Sequence, residues 1–113
     1  MPNYILSYRA AKDFDTLTDP SALPAWAAFI NEVIAPHVAD PGFPVFEPSE
    51  VIGVAGSGTR LGGYSIVIAD NMEEAVAIAK SCPAIERGGG VEVGRLADLP
   101  PDHPAEQMRA HSA

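Results

Sequence analysis

Apolar side chains along this chain fall into two spacings, one suited to strands and one to helices. Asn3 to Arg9 (NYILSYR) is rich in aromatic and β-branched residues and predicts a first strand. After a polar, turn-forming stretch from Asp13 to Pro20, Ser21 is placed to cap a helix that holds Pro24 in its first turn, where a missing N–H costs nothing. At about 100° per residue, Leu23, Trp26, Phe29, Ile30, Val33 and Ile34 gather on one side, with Asn31 and Glu32 opposite. Pro36 should end or kink this helix, because its ring clashes with the carbonyl of Glu32.

HVADPGFPVFEP then reads as a turn-rich connection. The prolines at 41, 44 and 48 would keep the strand that follows short, or start it at a sheet edge. Glu50 to Ala55 (EVIGVA) continues as that second strand. Gly56-Ser57-Gly58-Thr59 makes a loop, and Gly63 to Ala69 forms a third strand. Its run YSIVIA lacks polar alternation and so suits a central position. The second helix is announced by a capping box, either Asn71 with Glu74 or Asp70 with Glu73. Met72, Ala75, Val76, Ile78, Ala79 and Cys82 share an arc of roughly 160°. Acid at the start and Lys80 near the end suit the helix dipole, and Pro83 stops the helix. A turn with Gly88-Gly89-Gly90 leads to a fourth strand, Val91 to Leu96.

The order β-α-β-β-α-β is that of a ferredoxin-like, split βαβ domain of the α+β class, with a four-stranded antiparallel sheet. Residues 1–97 would make this single domain, and 98–113 a Pro-rich polar C-terminal tail or partner-contacting arm. Two helices cover one sheet face only. Since hydrophobic residues occupy both strand faces, a homodimer packed through the sheet face is the expectation.

Composition narrows the partners. Seven basic residues against fifteen acidic ones give a formal charge of −8, and the cations form no basic run. Nucleic acid and anionic membranes, which call for clustered Lys and Arg, are disfavoured. No apolar run approaches the roughly 20 residues needed to cross a bilayer. The opening MPNYILSYRA lacks a charged segment followed by a long apolar one, so the expected setting is cytoplasmic. Cys82, the one cysteine, leaves no intramolecular disulfide and no cysteine-based zinc site, and its place on the apolar stripe suits packing.

Candidate chemistry is sparse. Gly56-x-Gly58 and Gly62-Gly63 lead into a strand, not a helix N-terminus, so they read as a hairpin and not a phosphate cradle. His103 and His111 fit no metal-ligand spacing, and neither a metal nor a cofactor is expected. His37 and Asp40 lie three apart, a pairing suited to acid–base catalysis; the plainer reading is a histidine in a helix C-terminal turn. Tyr4, Tyr8 and Arg9 on the first strand and Tyr64 on the third would lie on neighbouring central strands, where their side chains can share a face. They could line a cleft between sheet and helices, offering phenols and a guanidinium to an acidic ligand, with Arg60 closing over it. Aromatic core packing is the alternative.

YILSYR, Trp26, Leu61-Gly62-Gly63-Tyr64 before SIVIAD, Glu73-Glu74-Ala75, Cys82-Pro83 and GGGVEV together make the chain resemble the YCII-related family, which includes the DGPF-domain proteins. The resemblance spans most of residues 3–97 and implies a small bacterial protein with a ferredoxin-like fold that forms a dimeric α+β barrel. The Asp-Gly-Pro-Phe motif itself is absent; Gly53 to Arg60 occupy its place. Some members resemble enzymes with a His/Asp pair, the histidine in the first helix; here the first histidine after that helix begins is His37. Two functions follow as expectations: a homodimer that binds a small molecule, or a cofactor-independent enzyme carrying out proton transfer or elimination on a small, aromatic substrate, with the His37/Asp40 pair or a tyrosine as base. A purely structural dimer that modulates a partner protein is the third.

Overall fold

The computed structural model of the chain describes residues 1–14, 19–56 and 58–112. Part of the predicted loop between Asp13 and Pro20, and Ser57 of the glycine loop, lie outside them. Four strands, β1 (Asn3–Ala11), β2 (Val38–Asp40), β3 (Thr59–Ile68) and β4 (Gly90–Arg95), form one antiparallel sheet in the order β2-β3-β1-β4. Among the described residues three α-helices accompany it: α1 (Ala22–Ala28), α2 (Met72–Ala79) and α3 (Pro104–Ser112). The order is the ferredoxin-like one, with β1 and β3 at the centre. No helix among the described residues is long and apolar enough to cross a membrane.

The period-2 alternation of β1 turns Tyr4, Leu6 and Tyr8 toward the helices, and all three are buried. Their β3 partners Val67, Ser65 and Gly63 are buried with them. Phe29 and Ile34 from the first helical segment and Ala75, Ile78, Ala79 and Cys82 around α2 complete this core. Leu23 and Met72, expected on the buried stripes, are instead 51% and 43% exposed; each sits in the first turn of its helix.

α1 does not run straight into Pro36. It widens into a π-helical stretch, Phe29–Ile34, with Ala35 N–H donating to Ile30 O, then tightens into a 3₁₀ turn, Ala35–His37. Pro36 supplies neither an N–H nor room for the Glu32 carbonyl in an α-turn, and widening relieves that conflict. At α2 the cap is the Asn71–Glu74 one: Asn71 Oδ1 accepts from Glu74 N at 2.9 Å, and Glu74 Oε1 accepts from Asp70 N at 3.3 Å.

The second strand was expected at Glu50–Ala55 and lies instead at Val38–Asp40, pairing with Val67 and Ile66. It is short because Pro41 and Pro44, without N–H groups, cannot continue the ladder. The chain from 41 to 46 nonetheless follows the edge of β3 as an irregular strap. Val45 N donates to Gly62 O, Tyr64 N donates to Phe43 O, and Pro44 bridges Gly63. EVIGVA then leaves the sheet with no strand partner among the described residues, and Ile52 and Val54 are fully exposed. Within the C-terminal segment, α3 begins where His103 Nδ1 accepts from Ala105 N at 3.0 Å.

Candidate functional site

A cavity of about 500 Å³ opens between α1, the 41–46 strap and the ends of β1 and β3. Its walls are mostly apolar: Phe14, Leu23, Trp26, Ile30, Phe43 and Phe46. Trp26 is placed by α1 and meets Tyr8 edge-on at 4.9 Å between ring centroids, while Phe29 meets both rings edge-on from beneath. Phe43 and Phe46 come from the strap, which two glycines press against β3. Gly42 has φ +73°, and a Cβ there would fall 1.7 Å from Tyr64 O; Gly63 has φ +140°, and a Cβ would fall 2.8 Å from Phe43 O.

The polar lining is of two kinds. On the inner face, Tyr8 Oη donates to Ser65 Oγ at 2.9 Å, and Ser65 Oγ donates to Pro41 O at 2.8 Å. Burial pushes the Tyr8 phenol up to about 12, against a smaller opposite pull from Ser65, so it stays protonated at neutral pH. The other kind is cationic. Arg60 donates from Nη1 to Val45 O and Leu61 O and from Nη2 to Phe14 O. Arg87, at the end of the 3₁₀ turn Pro83–Arg87, donates to Pro83 O, Ser21 Oγ and Asp19 Oδ2. Asp19 also accepts from Ser21 N and Oγ. These bonds, with Arg87, hold its carboxyl below the usual range. Ser21 therefore begins α1 without capping it, its hydroxyl being committed to Asp19.

The register decides which expected residues meet. Tyr8 pairs with Gly63, but Arg9 pairs with Leu61, so Gly62 is an extra residue in β3. Beyond it Arg60 lies opposite Ala10, on the same face as Tyr8. The structure thus brings Tyr8 and Arg60 together. Arg9 and Tyr64 also border the cavity, but alternation turns their side chains to the other sheet face. There Arg9 donates to Thr59 Oγ1 and O, and Tyr64 lies beside Ser7. The expectation that the two tyrosines share a face is thereby corrected: Tyr64 is one residue out of phase with the Tyr8–Gly63 pair.

His37 ends the 3₁₀ turn and Asp40 ends β2, and neither borders this cavity or the second one, of about 390 Å³, beside Cys82. Asp40 Oδ1 accepts from Gly42 N at 2.8 Å, an Asx turn that starts the strap. Cys82 is buried, and burial pushes its thiol up, as fits a packing residue.

Sequence reasoning did not find Ser65 or Arg87. Ser65 is the one small polar residue within YSIVIA, and such a residue inside a buried run is a readable signal. Arg87 had none, since its side-chain partners Ser21 and Asp19 are 66 and 68 residues away.

Among the described lining residues there is no aspartate or glutamate, while Arg60 and Arg87 border the cavity of a chain whose net charge is −8. The arrangement suits an apolar body with negative charge.

No family model and no curated protein matches this chain. Among solved structures it is similar to 5-chloro-2-hydroxyhydroquinone dehydrochlorinase (TftG) from Burkholderia phenoliruptrix AC1100, in complex with 2,5-dihydroxybenzoquinone. The TM-score is 0.53 and the identity 16%, over 85% of this chain and 95% of that one. At that identity the likeness is one of fold: both are small α+β proteins built on the same framework.

Proposed function

We propose that the cavity binds a small, largely apolar, ring-containing molecule with an acidic group, and that the acid meets Arg60. The observation that carries this reading is the state of the Arg60 guanidinium. It is half-buried and held by three neutral carbonyls, with no carboxylate partner among the described residues. A cation so placed in an apolar cavity favours an anion as its missing partner. The hydroxylated ring bound in the neighbour's structure is of comparable kind and supports the same class. We read the chain as a YCII-related protein in a cytoplasmic setting, on the motifs quoted above and the shared fold.

The enzyme alternative has less to draw on. The described cavity lining contains no imidazole and no carboxylate, and Tyr8 is held protonated. The neighbour's dehydrochlorinase activity is its one support.

Benzoate is a direct probe, measured by calorimetry or thermal shift against methyl benzoate and benzamide. The anion should bind at least about tenfold tighter than its neutral analogues, and Arg60→Gln should remove that difference. Equal binding of charged and neutral probes, or an unchanged preference in Arg60→Gln, overturns the reading.

We also propose that two copies pair through the second sheet face. It carries Ile5, Tyr64 and Ile66 half-buried and Leu61 and Ile68 exposed, with Arg9 and Glu92 as charges of opposite sign. Such a surface can meet its own two-fold copy. Sedimentation should give twice the chain mass for the wild type and a monomer for Ile66→Asp. A monomeric wild type refutes the pairing.

A further inference from the structure

We infer that the cavity's occupant carries a hydrogen-bond donor as well as an acid, which makes the ligand class a hydroxylated aromatic acid. The inference rests on the binding reading above and deepens it.

It follows from counting protons. Ser65 has one hydroxyl proton, and it goes to the Pro41 carbonyl, which can only accept. Ser65 Oγ must therefore accept from Tyr8, whose single phenolic proton is used in that bond. Ser65 is fully buried, so both of its bonds stay within the protein. Tyr8 borders the cavity with its proton spent, so an occupant can meet its oxygen only as an acceptor. Arg60 and Arg87 are donors alone.

The cavity thus has an anion-seeking end and a donor-seeking end. Arg60 lies opposite Ala10, the next same-face position after Tyr8, so the two ends stand on one sheet face. A diacid would leave the Tyr8 oxygen facing a second acceptor. A plain aromatic acid would leave it unpaired. A ring with one acid and one hydroxyl satisfies both ends, and Trp26, Phe43 and Phe46 supply apolar walls for it.

The test is calorimetry with benzoate, its three hydroxy isomers and the matching methoxy compounds, on the wild type, Tyr8→Phe and Ser65→Ala. One hydroxy isomer should bind about tenfold tighter than benzoate, and its methoxy counterpart should lose that gain. Tyr8→Phe should keep benzoate affinity and abolish the gain. Ser65→Ala frees the phenolic proton to be donated, so the methoxy compound should improve relative to the hydroxy one. That reversal is a readout that a packing role would not produce, and it stands if Tyr8→Phe does not fold. Hydroxy and methoxy isomers that bind as benzoate does, or a hydroxyl gain that survives in Tyr8→Phe or stays unreversed in Ser65→Ala, overturn the inference while the anion site stands. Absence of benzoate binding overturns both.

Discussion

The Arg87 guanidinium spans 68 residues of sequence to reach Asp19 Oδ2 at 3.4 Å, and the same group bonds Ser21 Oγ at 3.0 Å. One side chain thereby ties the turn after α2 to the entry of α1, at the rim of the cavity.

That tie makes a prediction with a definite sign. Asp19 is held below its ordinary range, chiefly by Ser21 and secondarily by Arg87. A carboxylate with a depressed folded-state pKa adds stability above its unfolded value and loses it as pH falls through the folded one. Thermal melts of the wild type and Asp19→Asn should differ at pH 7 and converge in acid below the ordinary carboxylate range. Curves that stay parallel down to pH 2 would remove Asp19 from the tie.

Tyr8 makes the opposite case. Its phenol rises from 10.0 to about 12, so its contribution is whole below pH 10 and disappears as pH climbs through 12. Ultraviolet titration should show a phenol ionising near pH 12 that is missing from Tyr8→Phe. If the variant keeps that late step, the assignment is wrong.

Gly42→Ala should loosen the strap. A Cβ would strike the Tyr64 carbonyl and would have to sit at φ +73°. We expect a loss of about 2 kcal/mol or more in denaturant unfolding, with weaker probe binding because Phe43 and Phe46 move with the strap. A variant as stable as the wild type, with unchanged affinity, would show that the strap yields freely.

What could be read from the sequence was whatever depends on near neighbours. The Asn71–Glu74 cap and the stripe Ala75, Ile78, Ala79 and Cys82 all lie within a few residues of one another, and periodicity describes them well. β1 was legible because Tyr4, Leu6 and Tyr8 alternate cleanly. β2 was not. EVIGVA has strand composition, but a strand needs a partner, and the proline-interrupted 41–46 strap already occupies that edge of β3. The face of Tyr64 escaped for a subtler reason. A half-turn of phase, set by the Tyr8–Gly63 pairing, separates it from Tyr8, and register is a tertiary fact. Arg60 gained its place by the bulge at Gly62.

The exposed stretch Val51 to Val54 bears on how this protein would keep in solution. Three large apolar side chains stand in solvent on a segment rich in β-branched residues and without a strand partner among the described residues. Such a segment is an open template for another chain's edge. A net charge of −8 keeps dilute molecules apart, yet high salt screens that repulsion. Shelf life and solubility would then be governed by these few residues more than by the rest of the surface.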